Sequence, residues 1–126
     1  MTVAGSGRRV FTPIRSRQTY ADLRKHARKG RNGPITVQFL PQPDWLQSQV
    51  AYAIGRQCGG AVERNRLRRR MRAVLGEQAQ VLPTGAYLVR SSPDGPSLTY
   101  EQLKEAMIQA LEKATTPRVT PPGARR

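Results

Sequence analysis

Six arginines fall within the nine positions from Arg64 to Arg72, in the run Glu63-Arg64-Asn65-Arg66-Leu67-Arg68-Arg69-Arg70-Met71-Arg72, and no acidic residue lies inside those nine. A guanidinium group keeps its charge and presents a planar fork of donors, so arginine at this density favours bidentate contact with phosphate oxygens. At about 100° per residue, Leu67, Met71, Val74 and Leu75 fall on one helical stripe, while Asn65, Arg66, Arg68, Arg69, Arg70 and Arg72 spread over the opposite arc. A helix of this kind buries its back and keeps a cationic front. A single-sign run on an amphipathic helix points to a nucleic acid more than to a solvated charged face. Arg64 lies close to the apolar stripe and is expected to project from the helix end.

Other chemistry has little support. Phosphodiester hydrolysis by a protein commonly needs several carboxylates around metal ions, or paired histidines. Here the acids number eight, are dispersed, and stand beside a single histidine, so a protein-borne active site is not expected. Cys58 and His26 are each the only residue of their type, which excludes an internal disulfide and leaves no zinc ligand set. Cys58 reads as a small turn residue and His26 as a surface or groove-lining helix residue. The segment Gly55-Arg56-Gln57-Cys58-Gly59-Gly60 precedes the arginine run but lacks the Gly-Lys-Ser/Thr close and the GxGxxG spacing of nucleotide-binding loops.

Several elements must position the arginine helix. Residues 1–14 read as a basic, partly extended arm, followed by one domain over 15–114 and a disordered Pro-rich tail over 115–126. Gln18 to Lys29 reads as a short basic helix capped by Thr19 and ended by Gly30. Ile35 to Phe39 alternates apolar and polar residues, predicting a strand with Ile35, Val37 and Phe39 inward and Thr36 and Gln38 on the other face. Trp45 reads as a packing lid in the loop that follows. A second strand is predicted from Gln49 to Ile54, with Val50, Tyr52 and Ile54 inward. The arginine helix should run from about Ala61 to Gln80 and a buried strand from Ala86 to Arg90. A last helix, with Ser97 and Thr99 as its two candidate caps, should run from Thr99 to about Ala114, with Leu103, Met107, Ile108, Ala110 and Leu111 as its apolar stripe.

The chain carries a formal charge of +14 from 22 basic and 8 acidic residues. Residues 1–72 hold sixteen Lys or Arg against three acids, and residues 73–126 hold six against five. The excess predicts fast, salt-sensitive association with a polyanion. No apolar stretch is long enough to span a bilayer, and neither a signal sequence nor a lipidation signature is visible. A soluble, cytoplasmic protein without a membrane partner is expected.

The order of elements, together with Gly59-Gly60-Ala61-Val62-Glu63-Arg64-Asn65-Arg66-Leu67-Arg68-Arg69-Arg70-Met71-Arg72, resembles the protein subunit of bacterial ribonuclease P. The resemblance covers roughly residues 15–114 and includes the Tyr87-Leu88-Val89-Arg90 strand and the Leu98-Thr99-Tyr100-Glu101-Gln102-Leu103 helix start. It implies an α/β (α+β) two-layer sandwich, ribosomal protein S5 domain 2-like, whose central sheet carries packed helices and a left-handed βαβ crossover. It further implies an RNA-binding subunit that assists a catalytic RNA in removing the 5′ leader of precursor tRNA. The active centre and its Mg2+ would then belong to the RNA, with no cofactor bound by the protein alone and no catalytic residue in it.

By the same resemblance, Arg64, Asn65, Arg66, Arg68, Arg69 and Arg72 match the RNA-binding positions, and Arg70 adds a further charge. A leader cleft between the first helix and the sheet would be lined by Leu23, Ala27, Thr36, Gln38, Ala53 and Gly55, with Tyr20, Arg24, Arg28 and Arg56 beside them. The family usually supplies aromatics at several of these positions and this chain does not, so its cleft should rely more on Arg24, Arg28, Arg56 and backbone groups, with Tyr20 standing in for the missing rings. Two other readings of the basic helix remain open: a ribosomal or general structured-RNA binder, and a DNA-binding module. The second is disfavoured because Asn65 is the only base-reading polar residue among the arginines.

Overall fold

The computed structural model describes residues 11–116. Most of the expected arm and tail, residues 1–10 and 117–126, lies outside the described residues. Phe11–Pro13 is extended as strand β1 and pairs in parallel with Ser48–Ala53, strand β4, so the sheet begins before the expected domain boundary at residue 15. The chain then forms helix α1 over Arg17–His26, strand β2 over Arg28–Asn32 and strand β3 over Ile35–Pro41. After β4 come a 3-10 turn at Arg56–Cys58, helix α2 over Ala61–Gln78, strand β5 over Gly85–Ser91 and helix α3 over Tyr100–Thr115.

The five strands order as β1-β4-β5-β3-β2, with β4 parallel to β5 and β3 antiparallel to both of its neighbours. Helix α2 therefore lies within a βαβ crossover between adjacent parallel strands. Ile35, Val37, Phe39, Val50, Tyr87 and Val89 form the sheet side of the main core, and the stripes of α2 and α3 close it. Together they make the α+β sandwich. Helix α1 covers the other face, where Leu23 packs with Ile14, Leu40, Ala86 and Leu88, and Trp45 lies half-buried against them as a packing side chain.

Two expectations for the first helix fail. Ser16, not Thr19, is the cap: its hydroxyl accepts the N–H groups of Gln18 and Thr19 at 3.1 and 3.3 Å, and Thr19 sits buried in the first turn. The helix also stops at His26 instead of Lys29, because residues 28–32 pair with β3 in the register Gly30↔Val37. The reason is tertiary. A Cβ on Gly30 would stand 2.2 Å from the Ala110 carbonyl oxygen and 2.5 Å from the Ala114 nitrogen, so glycine lets β2 slide under α3. In α3, capped by Thr99 and not by Ser97, Ala106 and Ala114 are buried with Leu103, Met107, Ala110 and Leu111, while Ile108 stays at the margin. Small side chains on that face allow the close approach.

Gly30→Ala should lower unfolding stability by about 1–3 kcal/mol, the usual cost of overpacking, because the atoms it meets are backbone. Urea denaturation followed by circular dichroism measures this, and an unchanged midpoint would show that the strand–helix contact is looser than described.

Candidate nucleic-acid interface

Helix α2 opens at Gly60, whose N–H is accepted by Glu63 Oε1 at 3.1 Å. That bond turns the acid beside the arginine run toward the helix start. The preceding turn is held by Cys58, whose buried Sγ lies 3.6 and 3.4 Å from the carbonyl oxygens of Ser91 and Ser92 and can donate to one of them. Leu67, Met71, Val74 and Leu75 are all buried, which is the stripe read from the sequence. Their burial turns the arginine arc away from the sheet.

Asn65, Arg66, Arg69 and Arg72 are exposed, and Arg64, Arg68 and Arg70 are half-buried. Arg68 donates from Nη1 to Asn65 Oδ1 at 2.8 Å, and Arg70 donates from Nη1 to the Leu98 carbonyl at 3.3 Å, which ties it to the lead-in of α3. The Arg72 guanidinium carbon lies 5.9 Å from the Tyr52 ring centroid, a cation–π distance. Arg64 does not simply project from the helix end: its Nε is buried with no hydrogen-bond partner. Among the described residues the ion pair present joins Glu77, near the C-terminal end of α2 beyond the arginine run, to Lys104 of α3 at 3.0 Å, so no carboxylate forms an ion pair with this array. Burial pushes the Tyr52 phenol up to about 12, opposed by the charges of Arg72 and Arg68. Tyr52 is therefore a neutral wall beside the cations.

The expected leader cleft is only partly assembled. Leu23 is fully buried in the core beneath α1 and cannot line a groove. Gln38 is 3 % exposed and both ends of its amide are engaged: Nε2 donates to the Leu23 carbonyl at 3.1 Å, and Oε1 accepts from Arg90 Nε at 2.8 Å. It positions Arg90 and does not offer itself. Arg28 belongs to β2 and pairs with Phe39, so strand alternation places it on the α3 face, opposite to Thr36. Thr36, Ala27, Ala53 and Gly55 are half-buried, and Arg24 and Arg56 are exposed. Tyr20 lines a separate cavity together with Arg72.

The same register brings in three cations that were not singled out from the sequence. Lys29 lies opposite Gln38 and Arg31 opposite Thr36, on the α1 face. Arg90 flanks Thr36 from the other side and Ala53 follows it, giving the row Arg31, Thr36, Arg90, Ala53 across four strands. At a strand spacing of about 4.8 Å, Arg31 and Arg90 start about 10 Å apart with Thr36 between them. Arg31 is steadied by its Nε donating to the Gly33 carbonyl at 3.2 Å. A strand over 28–32 is the signal for Lys29 and Arg31, whereas Arg90 is placed by the pairing of β3 with β5.

Comparison with known proteins adds to this geometry. A family model described as Ribonuclease P matches residues 11–115. A ribonuclease P protein component from Thermobifida fusca is 33% identical over 113 residues, covering 83% of this chain and 77% of the relative. One from Thermus scotoductus is 33% identical over 90 residues, and this chain spans about half of that longer protein, 52%. The ribonuclease P protein of Staphylococcus aureus superposes with a TM-score of 0.73 at 15% identity, covering 82% of this chain and 97% of the other, which supports the fold.

Tyr52 and Tyr87 give a pH prediction. Burial raises both phenols, and unfolded tyrosine ionises near 10.0, so the unfolded chain gives up these protons first. The stability they contribute is complete below pH 10 and is lost as pH rises toward the folded value of about 12 for Tyr52. Phenolate absorbance of the folded protein at pH 11 should therefore lack the contribution of Tyr52 and Tyr87, and urea should restore it. Full ionisation without urea would refute their burial.

Proposed function

Because the chain belongs to the ribonuclease P protein family, we propose that α2 docks on the catalytic ribonuclease P RNA while the cationic row of the sheet holds the 5′ leader of precursor tRNA. Membership makes it the protein subunit of ribonuclease P, a partner of that RNA in tRNA processing. The observation that carries the finer reading is the arginine array of α2, which lies inside the matched segment and has no internal carboxylate against it.

In this reading the RNA supplies the active centre, where bound Mg2+ would supply the charge compensation for hydrolysis of one phosphodiester bond. This reading assigns the protein no metal of its own; among the described residues no group of three His, Cys, Asp or Glu side chains comes together. What its residues do is bind and orient. Arg66, Arg69 and Arg72 face phosphate from the exposed arc, Asn65 holds the Arg68 guanidinium, and Arg70 braces the helix against α3. Arg31 and Arg90 flank Thr36 so that an extended strand is met through its backbone, with Arg24 and Arg56 as further exposed cations. We place the process in the cytoplasm, and no described helix is long and apolar enough to cross a membrane.

The test is reconstitution with the cognate catalytic RNA and precursor tRNA at low magnesium and near-physiological salt. The protein should raise 5′ cleavage or substrate affinity over RNA alone, and no gain would defeat the assignment. Arg68→Ala and Arg69→Ala should each weaken RNA assembly and reduce the slope of log K against log salt by about one, the amount for one lost phosphate contact. Slopes unchanged in both variants would exclude direct contact.

A further inference from the structure

A cavity of about 480 Å³ opens beside the arginine helix, on the β1 and β4 edge of the sheet. Phe11, Tyr20 and Tyr52 supply three aromatic walls, each half-buried, and Arg72 supplies the charge. Two of these groups are held in place: the Phe11 ring meets Tyr87 edge-on at 5.7 Å, and Arg72 sits over Tyr52 at 5.9 Å. The remaining wall is unusual. Gly76 lies within α2, where glycine weakens a helix relative to alanine. Its φ is not positive, and a Cβ there would meet no atom within 4 Å, so neither the backbone nor the packing of the protein calls for glycine. Gly76 lines the cavity one turn after Arg72 on the same flank of α2, so a side chain there would lie beside the mouth. What the glycine preserves is open space.

The volume suits a small organic group, and the walls narrow the choice. A free anion would use Arg72 and leave three rings idle. A purely apolar group would leave the guanidinium without an anionic partner. A flat ring with polar edges and an attached phosphate uses both, because bases stack on aromatic side chains while arginine takes the phosphate. We propose that this cavity receives one unstacked nucleobase of RNA, with its flanking phosphate on Arg72. The inference rests on α2 facing RNA, as argued above, and adds a site for a single base beside the phosphate-binding arc. Two RNAs can supply that base, the catalytic RNA or the precursor tRNA.

The experiment uses the reconstituted holoenzyme with 4-thiouridine and 6-thioguanosine incorporated in the catalytic RNA in one arm and in the precursor tRNA in the other. After irradiation and digestion, mass spectrometry should find crosslinks at Phe11, Tyr20 or Tyr52 in one arm, which names the source. In parallel, Gly76→Gln should close the mouth and weaken binding of that RNA by about five- to hundredfold, the range of one lost base stack. Gly76→Ala, which adds a single methyl group, should bind nearly as the unmodified chain does. Both variants should melt no lower than the unmodified protein, so a loss of binding cannot be blamed on unfolding. Crosslinks absent from these three residues, or Gly76→Gln binding as tightly as the unmodified chain, would overturn the proposal. If Arg68→Ala still weakens assembly in that case, the base site fails while the reading of α2 stands.

Discussion

The seating of Leu67, Met71, Val74 and Leu75 against the sheet and α3 is the contact on which the rest of the molecule depends, because it holds an unneutralised row of guanidinium groups at a fixed angle to the fold. Magnitudes show why the helix survives its own charge. Like-charged pairs one turn apart each destabilise a helix by about 0.2–0.5 kcal/mol, and the run contains five: Arg64 with Arg68, Arg66 with Arg69 and Arg70, and Arg72 with Arg68 and Arg69. That repulsion amounts to about 1–2.5 kcal/mol. Burying each of the four apolar side chains contributes about 1.5–3 kcal/mol. The anchor outweighs the repulsion severalfold, so no internal carboxylate is needed to hold the array together, and its charge stays available to an external polyanion.

The opposite face of the sheet is organised by a neutral side chain. Gln38 lies beneath α1 with its amide nitrogen on the Leu23 carbonyl and its amide oxygen on Arg90. A buried amide is costly unless both ends are bonded, and here satisfying it also fixes a guanidinium at the surface. Core packing under α1 and the direction of Arg90 are therefore coupled through one residue. This arrangement suits a groove that lacks aromatic platforms at its helix positions, since a cation in a fixed direction can track phosphates where no ring is available to stack on bases.

What was legible in the sequence followed from local periodicity. The α2 stripe and the inward set of β3 appear as read, because each is stated by spacing within a few residues, and spacing narrowed the cap of α3 to two residues of which Thr99 is used. What was not legible depended on distant partners. Strand β2 has no apolar alternation, and its basic residues read as a continuation of α1 until Gly30 is seen against Ala110 and Ala114. That one misreading propagated: it kept Arg28 in the cleft and hid Lys29 and Arg31, whose face is set by register with Gln38 and Thr36. Leu23 and Gln38 were misplaced for a related reason, since periodicity gives the face a residue occupies but not whether another element covers it. Tyr20, half-buried on α1, opens on the cavity with Arg72, a placement that helical periodicity alone does not give.

Charge is also segregated between helices. Glu101, Glu105 and Glu112 are exposed on α3, whereas α2 and the β2 edge carry the cations. A polyanion approaching such a molecule is drawn more strongly to one side than to the other, so orientation begins before contact. Added salt then acts in opposite directions on the two processes. It screens the repulsion along α2 and stabilises the free fold slightly, while it removes the counterion-release term that drives association with RNA. Because binding only to the folded form stabilises it by mass action, RNA protects the protein most at low salt, where the repulsion it relieves is also greatest.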